Sequence, residues 1–204
     1  MAAGNGFHSF FVRGFTRPLF SSPVRLSLRA IISALIGLPH LPMSLRIIAT
    51  GGTFDKRYDL LTGQLVFGES VIAKALARAR VTVPISFQPL FALDSLDMQD
   101  RHRDDLLAAC QQSPEARIVI IHGTDTMQQS AEVLGRAALP STIVLAGAMV
   151  PYEIDNSDAL FNLGYAMAAA TLCPPGVTIA MNGRLFPWDD VIKNRAAGVF
   201  EPRG

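Results

Sequence analysis

Five apolar runs, each long enough for one strand and separated by longer mixed segments, most constrain what this chain can become. They read LRIIAT from Leu45, VTVPISFQPLF from Val81, ARIVIIHG from Ala116, STIVLAGA from Ser141 and GVTIAMN from Gly176. Between them lie ESVIAKALARAR, RHRDDLLAACQQ, MQQSAEVLGRAA and SDALFNLGYAMAAATL. In the last of these, Leu160, Leu163, Gly164 and Met167 keep the spacing of one helix face. Ser157-Asp158 suits its start and Pro174-Pro175 its end. A strand that is apolar throughout needs cover on both faces, and crossover helices supply it when the strands run parallel. The expected fold is an α/β domain: a doubly wound, mostly parallel sheet with helices on both faces.

The 204-residue length suits about one domain, and the first 42 residues read differently from the rest. They carry Arg13, Arg17, Arg25 and Arg29 with no acidic residue, the first being Asp55. Ala30 to Leu38 is apolar but short of the roughly 20 residues that cross a bilayer. Residues 1–42 are read as an extension, created by an upstream start ahead of Met43 or serving as a targeting segment; residues 43–204 are read as the folded domain. A net charge of +1 with no basic stripe argues against nucleic acid. Cys110 and Cys173 lack metal-ligand spacing and read as free thiols in the cytoplasm. With no P-loop and no G-x-G-x-x-G, neither metal nor cofactor is expected.

Open parallel sheets bind ligands beyond the carboxyl ends of their strands. Three segments belong there: Gly51-Gly52-Thr53, His122-Gly123-Thr124-Asp125-Thr126 and Gly147-Ala148-Met149. A threonine hydroxyl attacks only when a base takes its proton and donors hold the resulting oxyanion. Thr53 follows two residues without side chains, and Tyr58 could reach back to it. Asp125 could orient a base or grip an ammonium. A blander reading stays open at each place: a simple turn at Thr53, a helix N-cap at Thr124-Asp125. His122 reads more simply as a packed strand-end residue, and Trp188 as packing or a pocket cover.

The segments ATGGTFDK and IIHGTDTM resemble the two signature motifs of the bacterial-type L-asparaginase/glutaminase family. LAGAMVPYEIDNSDALFNLGYA resembles the segment that follows them there. The resemblance runs from about Arg46 to at least Asn194. It implies hydrolysis of L-asparagine to L-aspartate and ammonia through a threonyl acyl-enzyme, with weaker action on L-glutamine. It makes Thr53 the nucleophile, Tyr58 an activating or lid residue, Thr124 the second catalytic threonine and Asp125 the binder of the substrate amino group. ALDSLDM resembles the segment that holds the substrate carboxylate, which places Ser95 in the pocket, lined further by Gly52, Gly123 and Ala148.

The helix segment FNLGYAMAAATL contains no lysine, and the chain has only Lys56, Lys74 and Lys193. Lys193 follows the last strand and is the candidate base for Thr124. The resemblance also implies a second, C-terminal domain that helps close a neighbouring subunit's site. This chain has room for the first domain only, which resembles a short single-domain branch and leads to the expectation of a homo-oligomer without membrane or nucleic-acid partners. The alternative is a module of the same fold that binds a small amino acid without turning it over.

Overall fold

The computed structural model describes residues 44–204, so the expectations for residues 1–42 lie outside it. In chain order, β1 (Leu45–Gly51) leads into the hairpin of β2 (Lys56–Asp59) and β3 (Gln64–Phe67), then α1 (Ile72–Arg78) and β4 (Ile85–Leu93). There follow α2 (Asp100–Gln111), β5 (Arg117–Ile121), α3 (Met127–Arg136), β6 (Thr142–Ala146), α4 (Ala159–Leu172) and β7 (Gly176–Met181). Three short strands come last: β8 (Arg184–Pro187), β9 (Ile192–Asn194) and β10 (Val199–Glu201).

The main sheet has six strands in the order β4-β1-β5-β6-β7-β8, and β2–β3 and β9–β10 are separate antiparallel pairs. Neighbours from β4 to β7 pair in parallel, while β8 returns antiparallel to β7. Alternate strand residues face opposite layers. Ile47, Val119, Ile121 and Val144 pack with Ile72, Leu163 and Ala166 of α1 and α4. Ile48, Ile118, Ile120 and Leu145 pack with Leu106, Ala131 and Leu134 of α2 and α3. The doubly wound architecture is therefore as expected. From β1 the chain crosses to β4 on one side and then to β5 on the other, so the crevice of such a sheet opens at the ends of β1 and β5.

Several local features depart from the sequence reading. The strand of the second apolar run starts only at Ile85 and ends at Leu93, two residues beyond that run. Pro89 inside it costs no central hydrogen bond, because β4 lies at the edge of the sheet. Strand β8 is not among the expected strands; its signal is Asn182-Gly183, both in the left-handed region (φ 57° and 73°), which suits a two-residue hairpin turn. Gly164 does not share the buried face of α4: it is exposed, and a Cβ there would meet nothing within 4 Å. Among the described residues no helix is long and apolar enough to cross a membrane.

The two faces of α4 should respond oppositely to alanine. Leu163, 1% exposed, should cost ~2–5 kcal/mol as Leu163→Ala. Gly164→Ala should instead add ~0.5–1 kcal/mol, because glycine wastes backbone entropy inside a helix. Urea unfolding of the two variants checks both signs.

Candidate active site

The loops after β1, β4 and β5 converge where there is no room for side chains. A Cβ on Gly52 would lie 2.4 Å from both Cα and N of Gly123, and one on Gly123 would lie 2.6 Å from Cβ of Ser95. Gly52 also sits at φ 74°, a conformation that glycine adopts freely. Hydrogen bonds stitch the contact. Gly52 N–H donates to the Leu93 carbonyl (2.8 Å), Asp125 N–H to Ser95 Oγ (3.2 Å) and Thr126 Oγ1 to the Ser95 carbonyl (2.7 Å).

On this platform stands Thr124, 4% exposed. Lys193 Nζ donates to its Oγ1 at 2.7 Å and lies 3.1 Å from Asp125 Oδ1. Arg195 Nε approaches the same carboxylate oxygen at 3.6 Å. Lys193 arrives on β9, directly opposite Phe200 of β10, whose buried ring anchors this hairpin in the core. The side chains of Lys193 and Asp125 are 12% and 30% exposed, so the pair is partly withdrawn from water and its attraction is less screened than at an open surface.

Thr53 begins a 3₁₀ turn, Thr53–Asp55, and is half-buried. The two residues behind it fix that turn. Phe54 is fully buried and stacks on Tyr152 (6.2 Å between ring centroids), while the Asp55 carboxylate accepts from Val71 N–H (3.0 Å) and Ser70 Oγ (3.0 Å). Burial pushes the Asp55 carboxyl above its ordinary range, and the bonds from Val71 and Ser70 offset this only in part. The structure thus gathers Thr124, Asp125 and Lys193, with Ser95, Gly52 and Gly123 beneath them and Thr53 beside Gly52.

Two expected residues lie differently. Tyr58 is 56% exposed on β2, and its hydroxyl is 3.6 Å from where a Cβ on Gly63 would be, over the turn of its own hairpin rather than within the cluster. Ala148 is fully buried in the core, so it shapes the loop after β6 but presents no surface to a ligand. A cavity of about 430 Å³ between Lys74 and Leu160 includes none of the cluster. Lys74 is exposed and pairs with Glu153, and the Trp188 ring lies against Gly135. Sequence reasoning missed the Lys56–Asp94 pair (2.5 Å) and Arg195. The one local signal for the former is Asp94 placed to cap the turn at Ser95.

His122 is a strut. Its Nδ1 lies 2.7 Å from the Gly123 carbonyl, which can only accept, so Nδ1 carries the proton and Nε2 accepts from Ser130 Oγ at 2.8 Å. Burial lowers its pKa from 6.5 to about 4; the bond to Gly123 opposes this and the nearby charge of Arg103 adds to it.

The family model described as "Asparaginase, N-terminal" matches residues 44–200. A glutamyl-tRNA(Gln) amidotransferase subunit from Pyrococcus horikoshii is 32% identical over 154 residues, which are 72% of this chain and 35% of that protein. The solved thermostable L-asparaginase from Thermococcus kodakarensis superposes with a TM-score of 0.71 at 27% identity, over 78% of this chain and 51% of that one. L-asparaginase I from Vibrio cholerae superposes with a TM-score of 0.70 over the same shares; at 22% identity that likeness speaks for the fold alone. The chain spans about a third of the length of the curated relatives it matches and about half that of these solved enzymes.

The buried imidazole sets a pH dependence whose sign is fixed. Between about 6.5 and about 4 the unfolded chain binds a proton at His122 that the folded chain refuses, so this residue's contribution to stability is lost as pH falls through that window. The His122 ring should stay neutral by NMR at pH 5.5 in the folded protein. A ring already protonated at that pH would contradict the strut.

Proposed function

The chain belongs to the asparaginase family, and we propose that it hydrolyses the side-chain amide of L-asparagine to L-aspartate and ammonia. One observation carries this reading: a lysine amine 2.7 Å from a buried threonine hydroxyl, with a carboxylate 3.1 Å from the same nitrogen. A helix cap or a turn has no use for that arrangement. A non-catalytic amino-acid sensor has little, which weighs against the binding-module alternative.

In the proposed reaction the Thr53 hydroxyl attacks the carboxamide carbon. A C–O bond forms, the C–N bond breaks, and the amide nitrogen leaves as ammonia with the proton that Thr53 gave up. Water then attacks the threonyl ester, which restores the hydroxyl and releases the carboxylate. Lys193, in the form that has given up a proton, accepts one through Thr124 during attack and returns it as each leaving group departs. Asp125 stabilises the transient ammonium on Lys193 and, in this scheme, binds the α-ammonium of the substrate. Ser95 and its turn hold the α-carboxylate. The Gly52 N–H is already committed to Leu93, so Gly52 serves by making room. Tyr58 takes part only when its hairpin brings the ring inward from Gly63.

Glutamine is a weaker substrate in this reading; one methylene discriminates by only ~1–3 kcal/mol. We further propose a homo-oligomer in the cytoplasm. A second reading follows from the curated relatives named as amidotransferase subunits: the released ammonia is passed to an acceptor on a partner protein.

Ammonia release from asparagine and glutamine by the purified full chain tests the proposal. Thr53→Ala and Thr124→Ala should each abolish most turnover while the protein stays folded. Lys193→Met should lower kcat ~10²–10⁴-fold, the usual worth of a positioned base. Lys74→Met should match the wild type, because its ammonium is exposed on α1. Full activity in Lys193→Met would remove Lys193 from the mechanism.

A further inference from the structure

The hairpin that carries Tyr58 joins no other described strand, so something else must set where it stands. Residues alternate sides along a strand, and the register pairs Lys56 with Phe67 and Tyr58 with Leu65. These four side chains therefore share one face. Lys56 shows which way that face is turned: its Nζ donates to Asp94 Oδ2, and its charge lies 5.4 Å from the centre of the Phe67 ring. Asp94 immediately precedes Ser95. Its other oxygen, Oδ1, accepts from Leu96 N–H at 3.0 Å and so closes the turn whose Ser95 holds the Asp125 backbone.

One carboxylate thus grips the root of the hairpin with one oxygen and the floor of the site with the other. The side chains of Lys56 and Asp94 are 19% and 29% exposed, enough withdrawal from water to strengthen the pair. Burial by itself would raise the Asp94 carboxyl. The bonds from Lys56 and Leu96, with the charges of Lys56 and Lys193, outweigh it and hold the group below its usual range. Asp94 therefore feels both the hairpin lysine and the lysine beside Thr124. Beyond this root the same face is uncovered, with Tyr58 56% and Leu65 43% exposed.

We propose that Lys56 and Asp94 are positioning residues that fix the β2–β3 hairpin over Ser95 and thereby set where Tyr58 meets a bound substrate. Neither residue touches the reacting atoms in this scheme; both act through Tyr58. The proposal rests on the amidohydrolase reading for its catalytic consequence, but the anchoring itself is open to a test that needs no turnover.

In the full chain, Lys56→Met should speed amide hydrogen exchange at Tyr58 and Leu65 about tenfold or more and leave α3 unchanged, since only the hairpin loses its tie. Lys56→Arg, which keeps a cation for Asp94, should restore protection. Unchanged exchange in Lys56→Met would overturn the anchoring whether or not the protein hydrolyses amides. If ammonia is released, Lys56→Met should lower kcat about 10- to 100-fold, the scale of a misplaced reactive group, with a smaller change in KM. Lys56→Met combined with Tyr58→Phe should then be no slower than Tyr58→Phe alone. Multiplying losses would show that Lys56 acts independently of Tyr58 and would overturn the positioning role.

Discussion

No side chain fits where the loops after β1, β4 and β5 meet, and the rest of the site depends on that fact. Gly52 abuts Gly123, Gly123 abuts Ser95, and a Cβ on Gly147 would lie 2.3 Å from the His122 carbonyl. Close-packed interiors do not stretch to admit an extra methyl group. The glycines therefore act as spacers of zero thickness that bring the backbones together, and the hydroxyls of Thr53 and Thr124 project from a surface whose position the sheet sets. The strand order provides the other half of the constraint, because only neighbours as close as β1 and β5 can offer loops that touch in this way.

Around that platform the charges fall into two coupled pairs. Asp125 answers Lys193, Asp94 answers Lys56, and the turn at Ser95 lies between the carboxylates. The two threonines consequently have different surroundings: Thr124 is buried against an amine, while Thr53 is half-exposed on a turn held from behind by Phe54 and Asp55. Under the proposed reaction, a hydroxyl that attacks substrate has to be reachable and one that relays a proton has to be enclosed. The buried imidazole of His122 adds no charge at neutral pH and leaves the field of the two lysines undisturbed.

The features legible in the sequence are those with a dense local pattern. Runs such as RIVII and TIVLA are apolar at every position or nearly so, and only a strand covered on both faces needs that. The glycine–threonine segments stand out because they follow such strands. The hairpins β2–β3 and β9–β10 are not legible, since their strands are three or four residues long and mixed in polarity. Strand β8 is legible in principle through Asn182-Gly183. The Lys56–Asp94 pair joins residues 38 apart and leaves no periodic trace. Lys193 can be singled out only because lysines are so few, and nothing near it hints at Phe200 as its anchor. Sequence places Tyr58 by its reach along the chain, whereas its position is decided by strand alternation and by the pair at the hairpin root.

The arrival of Lys193 on β9, held by Phe200 on β10, also orders events during synthesis. Thr124 and Asp125 lie between β5 and α3, in the middle of the described fold, whereas the amine that binds them sits about seventy residues later on a hairpin that needs β10 to close. Every parallel strand and every α-helix precedes this hairpin in the chain, so the cluster is completed by the last elements of the described fold. The two halves of the proposed relay, Thr124 with Asp125 and then Lys193, can meet only once β10 is present to close that hairpin.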